Sequence, residues 1–246
     1  MISLGTWLTA ITAANAALAG GCSFEPQGEG RIVSIIDART LRMEDGREVR
    51  LAGIEAASGG TTALAALLGR SVALHGEADM PDRYGRQPAF VFVDQAERSS
   101  QRMLLEQGEA LASGTVADKA CAAELAAAEA VARRANRGVW SQRAAIKNAE
   151  RGDDILARIG QFTVVEGKVL SVRQAGAVTY INFGRRWTRD FAATISRRAM
   201  AAIEAAGISV KTLENKRIRV RGFVESRQGP RIEVVGAGQI EMAGPD

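Results

Sequence analysis

Histidine is nearly absent from this 246-residue chain, with His75 its only example. A lone imidazole excludes paired-histidine ribonuclease chemistry, a Cys/His-rich zinc site and most Ser-His-Asp arrangements. His75 ends the apolar run of "SVALHG" and reads as a solvated loop residue. Cysteine is equally scarce, limited to Cys22 and Cys121, which leaves room for a single internal disulfide. A long unbroken apolar run is also missing. The N-terminal "MISLGTWLTAITAANAALAGG" is interrupted by Thr6, Thr9, Thr12 and Asn15, too often for a comfortable membrane span. No Lys or Arg precedes Arg31, so the basic start of an export signal is lacking, although "ALA" at 17–19 has the small-residue pattern of a cleavage site.

These features give a signal peptide over 1–19, with the true start upstream, and a linker over 20–30. The protein is then expected to be exported, periplasmic or secreted, where Cys22 and Cys121 would pair as a disulfide. A lipid-modified Cys22 is the competing reading, but "LAGGC" places its leucine one residue too far away. Oligomeric state is not legible. The remaining composition, 46% hydrophobic and 24% charged, is that of an ordinary globular protein. The net charge of +4 is uneven: residues 160–246 carry 14 Lys/Arg against 8 Asp/Glu, while the rest is slightly acidic. A basic C-terminal region points to an anionic partner or to a well-solvated basic surface.

From Arg31 the pattern is strand-like. "RIVSII" and "TLRM" are short apolar-rich runs, "EDGR" is a hairpin turn, and "EVRLAGI" alternates with Val49 and Leu51 on one face. "TTALAALLGR" reads as a short helix, "SVALHG" and "AFVFV" as strands, and "PDRYGRQ" as the loop between them. "SSQRMLLEQGEALA" is a serine-capped helix, and "DKACAAELAAAEAVARRANRGVW" a long helix with Trp140 as an anchor beyond it. Residues 142–159 read as a helical connector. A second β-rich unit follows over 160–243, about five strands with the helix "SRRAMAAIEAAG" between the third and fourth, which is the order of an OB barrel.

With "IDART", "VRLAGIE" and "DRYGR" in that order, the chain resembles the staphylococcal-nuclease (thermonuclease-like) family over about residues 31–141. "DRYGR" is the most specific piece. The resemblance implies a five-stranded OB barrel with three helices that cuts DNA or RNA using calcium. The fold class is therefore α+β, mainly β with helices: a staphylococcal-nuclease-type OB barrel followed by a second OB-like barrel. In that family the first strand ends in Asp-Gly-Asp-Thr, and Arg-Leu-Leu-x-(Val/Ile)-Asp-Thr-Pro-Glu follows. A divalent cation needs hard oxygen ligands, and a carboxylate must orient or deprotonate the attacking water. Two arginines hold the phosphate and absorb the charge that develops on it.

Carried onto this sequence, the resemblance makes Arg50 and Arg86 the phosphate clamps of a metal-dependent endonuclease. Glu55 fills the second metal-binding position, so Asp37 and Glu55 form the metal set, with Glu55 also counted as catalytic. Arg39, however, stands where the direct metal ligand belongs, and Ser58 where the general base belongs. Aspartate to arginine changes the local charge by two and turns a cation corner into an anion corner, because arginine is effectively always protonated. Calcium-dependent hydrolysis is accordingly expected to be weakened or lost. Magnesium held by Asp37 and Glu55 through waters, or a carboxylate entering from Asp82 or Glu77, would restore it.

In the second unit, "NKRIRVRGFVE" alternates Ile218 and Val220 with Arg217, Arg219 and Arg221. Alternate residues on one strand face lie about 6.8 Å apart, suited to successive phosphates. Tyr180, Phe183 and Trp187, interleaved with Arg185 and Arg186, add stacking surfaces. The expected nucleic-acid contacts are thus Arg39, Tyr84, Tyr180, Phe183, Arg217, Arg219 and Arg221, with DNA or RNA as partner. The alternatives are a non-catalytic nucleic-acid binder and an envelope interaction module with no nucleic-acid role.

Overall fold

A computed structural model describes residues 21–22, 24–57, 60–77, 80–94, 96–142 and 145–244. The expected signal peptide and Ser58 lie outside the described residues. The first unit is a closed barrel of β1 (Glu25–Asp37), β2 (Thr40–Met43), β3 (Glu48–Leu51), β5 (Ser71–Gly76) and β6 (Gln87–Val93), in the order β1-β2-β3-β6-β5. Its β3–β6 pairing is parallel and the other four are antiparallel. β4 (Ile54–Ala56) and β7 (Ala110–Ala112) pair separately beside the barrel. The α1 helix (Gly60–Leu64) lies between β4 and β5 in the chain, and α2 (Ser100–Gln107) and α3 (Lys119–Arg134) follow β6.

Local chemistry sets these boundaries. The β2–β3 hairpin turns at Asp45-Gly46, with Gly46 at φ +87°, a conformation that favours glycine. Ser99 caps α2 by accepting from the Arg102 amide, and Asp118 caps α3 through the Cys121 amide. Alternation buries Val49 and Leu51 of β3, and Ile32, Leu41, Leu74 and Phe90 join them in the core. Cys22 and Cys121 form a disulfide that ties the start of the described chain to α3.

Several expectations change here. Residues 25–30 are not linker: Glu25 to Gly30 pair with β5, a bulge at Gly28 absorbing the irregularity after Pro26 that hid the strand. His75 is not in a solvated loop but on β5, its Nδ1 2.7 Å from the Phe24 carbonyl oxygen and its ring edge-on to Phe92. The helix read through "EALA" stops at Gly108, which adopts φ +75° and lies so close to the Arg137 carbonyl that a Cβ would collide with it. The "ALA" beyond it becomes β7. The connector is not wholly helical: β8 (Ile146–Asn148) adds to the second sheet, and among its described residues only α4 (Gly152–Leu156) is helix.

The second unit contains β9 (Phe162–Lys168), β10 (Ser171–Ala175), β11 (Val178–Asn182), β12 (Ala192–Ser196), the α5 helix (Arg197–Ala205), β13 (Arg217–Ser226), β14 (Pro230–Val234) and β15 (Ile240–Met242). Its sheet runs β10-β11-β12-β14-β13-β9-β8, with β15 also on β13. β9 and β10 are consecutive in the chain, separated only by Val169 and Leu170. Taken as one bent strand, they reproduce the pairing order of the first barrel, including a parallel pair, β12–β14, at the equivalent place. Among the described residues no ladder joins β9 to β10, so this unit is a sheet and not a closed barrel like the first.

The two units share an interface. Leu111, Ala132 and Trp140 of the first pack with Val164 of the second. Arg221 of β13, only 4% exposed, donates to the Ala112 carbonyl at 3.0 Å, to Glu129 at 2.8 Å and to Glu241 at 3.1 Å. Glu129 also accepts from the Ala112 amide at 2.6 Å, and Arg133 of α3 reaches Glu241 at 2.8 Å. Burial opposes the charge of Arg221, but the two carboxylates hold it firmly protonated.

Candidate nucleic-acid interface

The turn after β1, the ends of β3 and β4 and the loop before β6 open onto one cleft of about 440 Å³. Arg39, Arg50, Glu55 and Asp82 line it. Of the residues singled out by the motifs, Arg39, Arg50 and Glu55 line the cleft directly and Arg86 is joined to it through Asp82, in an unexpected state of pairing.

Arg39 turns inward and forms an ion pair with Glu55, also donating to the Ile54 carbonyl at 3.2 Å. Both side chains are largely covered, 18% and 14% exposed. Burial pushes the Glu55 carboxyl up, Arg39 opposes that, and nearby Asp37 adds to it. Asp37 meanwhile holds its own turn, accepting from the Arg39 amide at 2.9 Å and the Thr40 hydroxyl at 3.0 Å.

Arg86 donates through Nε and a terminal nitrogen to the same Asp82 oxygen, at 2.9 and 2.7 Å. The other Asp82 oxygen accepts the Tyr84 and Arg86 amides, closing "DRYGR" on itself around Gly85 at φ +78°. These hydrogen bonds, led by the Arg86 side chain, hold the Asp82 carboxyl below its ordinary range. Tyr84, 64% exposed, is flanked by the Arg83 and Arg86 guanidinium groups at 4.7 and 4.9 Å from its ring centre. Arg50, directly across from Thr40 in the β2–β3 ladder, is the cleft arginine with no ion-pair or hydrogen-bond partner for its side chain among the described residues.

A calcium ion does not fit this arrangement. No group of three or more His, Cys, Asp or Glu side chains with metal-binding placement occurs among the described residues. Of the two expected ligands, Glu55 is engaged by a permanent cation and Asp37 by its own turn, leaving too few oxygens among the described residues for a six- to eight-coordinate ion. The rescuing carboxylates are engaged as well: Asp82 by Arg86, and Glu77 by the Asp118 amide at 3.3 Å.

In the second unit the structure puts Phe183 and Arg221 inside and gives Arg217 and Arg219 internal partners. Phe183 is 7% exposed and packs against Phe191 in the core, because it shares strand parity with fully buried Ile181. Arg221 is enclosed by the interface just described. Arg219 is paired with Glu166 at 2.7 Å and Glu241 at 3.2 Å, and Arg217 with Glu166 at 2.6 Å. The cationic face of β13 is neutralised from within, and only Arg217 remains well exposed. Tyr180 instead lines two adjoining cavities of about 340 and 690 Å³ shared with Asn182, Trp187 and Gln228. Sequence reasoning missed Arg173, which stands opposite Tyr180 in the β10–β11 ladder, and Arg227. The alternation of "SVRQA" was the available signal for Arg173.

Comparison with known proteins adds one match. Residues 48–142 match the family described as staphylococcal nuclease homologue. The chain thus contains a staphylococcal-nuclease-like domain in its first unit, and the second unit lies outside the match. No curated protein matches the chain.

Proposed function

We propose that this protein binds nucleic acid through a nuclease-like cleft whose metal-dependent hydrolysis has been lost or severely reduced. The family match suggests nucleic-acid binding or nuclease activity for the first unit. The observation that carries the choice between them is the Arg39–Glu55 ion pair, which puts a fixed cation where calcium chemistry requires carboxylates. Arg50 is the primary phosphate contact, since its charge is uncommitted. Arg86 is a second contact, recruited when a phosphate competes with Asp82 for its guanidinium. Arg39 contributes positive potential and Tyr84 a stacking face.

An exported setting accords with the Cys22–Cys121 disulfide, a bond characteristic of oxidising compartments. No helix among the described residues is long and apolar enough to cross a membrane.

The test uses labelled single-stranded DNA and RNA with the purified protein in calcium, magnesium or chelator, beside Arg50→Ala and Arg86→Ala. Binding with intact oligonucleotide in every condition, weakened in Arg50→Ala and insensitive to chelator, is the expected result. Metal-dependent cleavage abolished in Arg86→Ala would overturn it and restore the endonuclease reading.

A further inference from the structure

A second cationic surface lies in the other unit, away from the cleft. The loop after β11 presents Trp187 with 66% of its surface exposed. This exposure is held in place by a tight turn: the Asp190 side chain accepts the Arg186 amide at 2.7 Å, and the Arg186 carbonyl accepts the Arg189 and Asp190 amides at 2.8 and 2.7 Å. Gly229, at φ +138°, lets the β13–β14 turn pack its backbone against the same loop, where a Cβ would meet the Trp187 carbonyl at 2.9 Å. The loop backbone is thus held with Trp187 exposed beside Tyr180 and Asn182.

The charges around it differ from those of the cleft. The larger cavity beneath Trp187 is lined by Arg173 and Arg185 and by no acidic residue. The adjoining one adds Arg227. None of these three guanidinium groups has an ion-pair or hydrogen-bond partner among the described residues. Asp190, the one carboxylate beside them, caps its own turn, and Arg231 is paired with Glu225 at 3.1 Å. Aromatic faces beside uncommitted cations are the combination that stacks bases while neutralising the backbone linking them.

We propose that the Trp187–Tyr180 groove of the second unit is a binding site for single-stranded nucleic acid, with bases stacking on Trp187 and Tyr180 and phosphates meeting Arg173, Arg185 and Arg227. This rests on the reading of the protein as a nucleic-acid binder but uses none of the cleft residues, so the two are separable.

The experiment is titration of the full chain with fluorescein-labelled oligothymidylate and oligouridylate, affinity read by anisotropy of the label and groove contact by tryptophan quenching, with Trp187→Ala, Arg173→Ala/Arg185→Ala and Arg50→Ala/Arg86→Ala variants, each verified as folded by circular dichroism. The chain has three tryptophans, Trp7, the buried Trp140 and Trp187, so the part of the quenching that disappears in Trp187→Ala reports the groove. The expected result is quenching by oligonucleotide with affinity about tenfold weaker in Trp187→Ala and weakened in the double arginine variant of the groove. Groove binding that persists in Arg50→Ala/Arg86→Ala would support the proposal even if the cleft proved inert. Oligonucleotide binding that leaves Trp187 unquenched and vanishes in the cleft variant would overturn it while leaving the cleft reading intact. Quenching by neutral oligosaccharides but not by oligonucleotides would also overturn it.

Discussion

The nuclease-like cleft and the Trp187 groove hold similar numbers of arginines but opposite electrostatics. At the cleft, Arg39 is matched by Glu55 and the neighbouring Arg86 by Asp82, leaving Arg50 uncommitted among the described residues. In the groove, Arg173, Arg185 and Arg227 are all uncommitted, and no carboxylate lines its larger cavity. β13 lies at the far end of the scale, with all three of its arginines engaged by Glu166, Glu129 and Glu241. What distinguishes a binding surface from an internal brace is therefore not the count of guanidinium groups but whether a carboxylate already holds them. A phosphate must displace that carboxylate before it gains anything.

The largest effect should come from the brace. Arg221→Ala leaves Glu129, 1% exposed at its side chain, with only the more distant Arg133 at 3.7 Å and Glu241 short of a cation. Removing one partner of a buried pair costs about 3–5 kcal/mol. Urea denaturation should show a loss of this size, whereas Arg173→Ala, in the groove, should stay within about 0.5 kcal/mol of the parent. Equal losses in the two variants would erase the distinction drawn here between brace and binding surface.

Sequence alone revealed the faces of β13 but not what each face meets. Alternation separated Ile218 and Val220 from the arginines, yet Glu129 lies 92 residues away from Arg221 in the chain and no local pattern announces it. Phe183 was legible and was misread: its parity with Ile181 already assigned it to the interior. The first barrel was legible for a different reason, since its hairpin turn, caps and motif residues are short-range signals. The Asp82–Arg86 pair lies within a single pentapeptide, and Arg39 and Glu55 both belong to the motifs. β1 before Arg31 and β8 were not legible, because Pro26 with Gly28 masks one strand and the other has only three residues.

The comparison sharpens further at Arg39. Arg39→Asp removes the cation from Glu55 and adds a carboxylate beside Asp37, moving the cleft toward the oxygen-rich set that calcium requires. Terbium luminescence should register tighter metal binding by about tenfold or more over the parent. An unchanged titration would mean that Glu55 and Asp37 are held away from any shared ion by something other than Arg39. A smaller effect separates the two clamp arginines. Arg50→Ala should weaken oligonucleotide binding by a few-fold at low salt, and Arg86→Ala by less, because part of the Arg86 charge is already neutralised. The reverse order would show that Asp82 yields Arg86 freely.

The smallest effect is a difference in the sign of two pH dependences, one in the cleft and one at the brace. Burial works against the Glu241 charge, but Arg133, Arg221 and Arg219 outweigh it and hold the carboxyl below its ordinary value of 4.5. Its stabilisation is present above that value and is lost as pH falls through the lower folded value. Glu55 runs the other way. Burial raises it above 4.5 despite Arg39, so the folded state favours its protonated form, and that advantage fades as pH rises through the raised value. In thermal unfolding followed against pH, Glu241→Gln should flatten the acid limb and Glu55→Gln the decline at higher pH. If both substitutions altered the same limb, the cleft carboxylate would be as well compensated as the brace, and the ion pair with Arg39 would be a net support of the fold instead of a charge retained at some cost to stability.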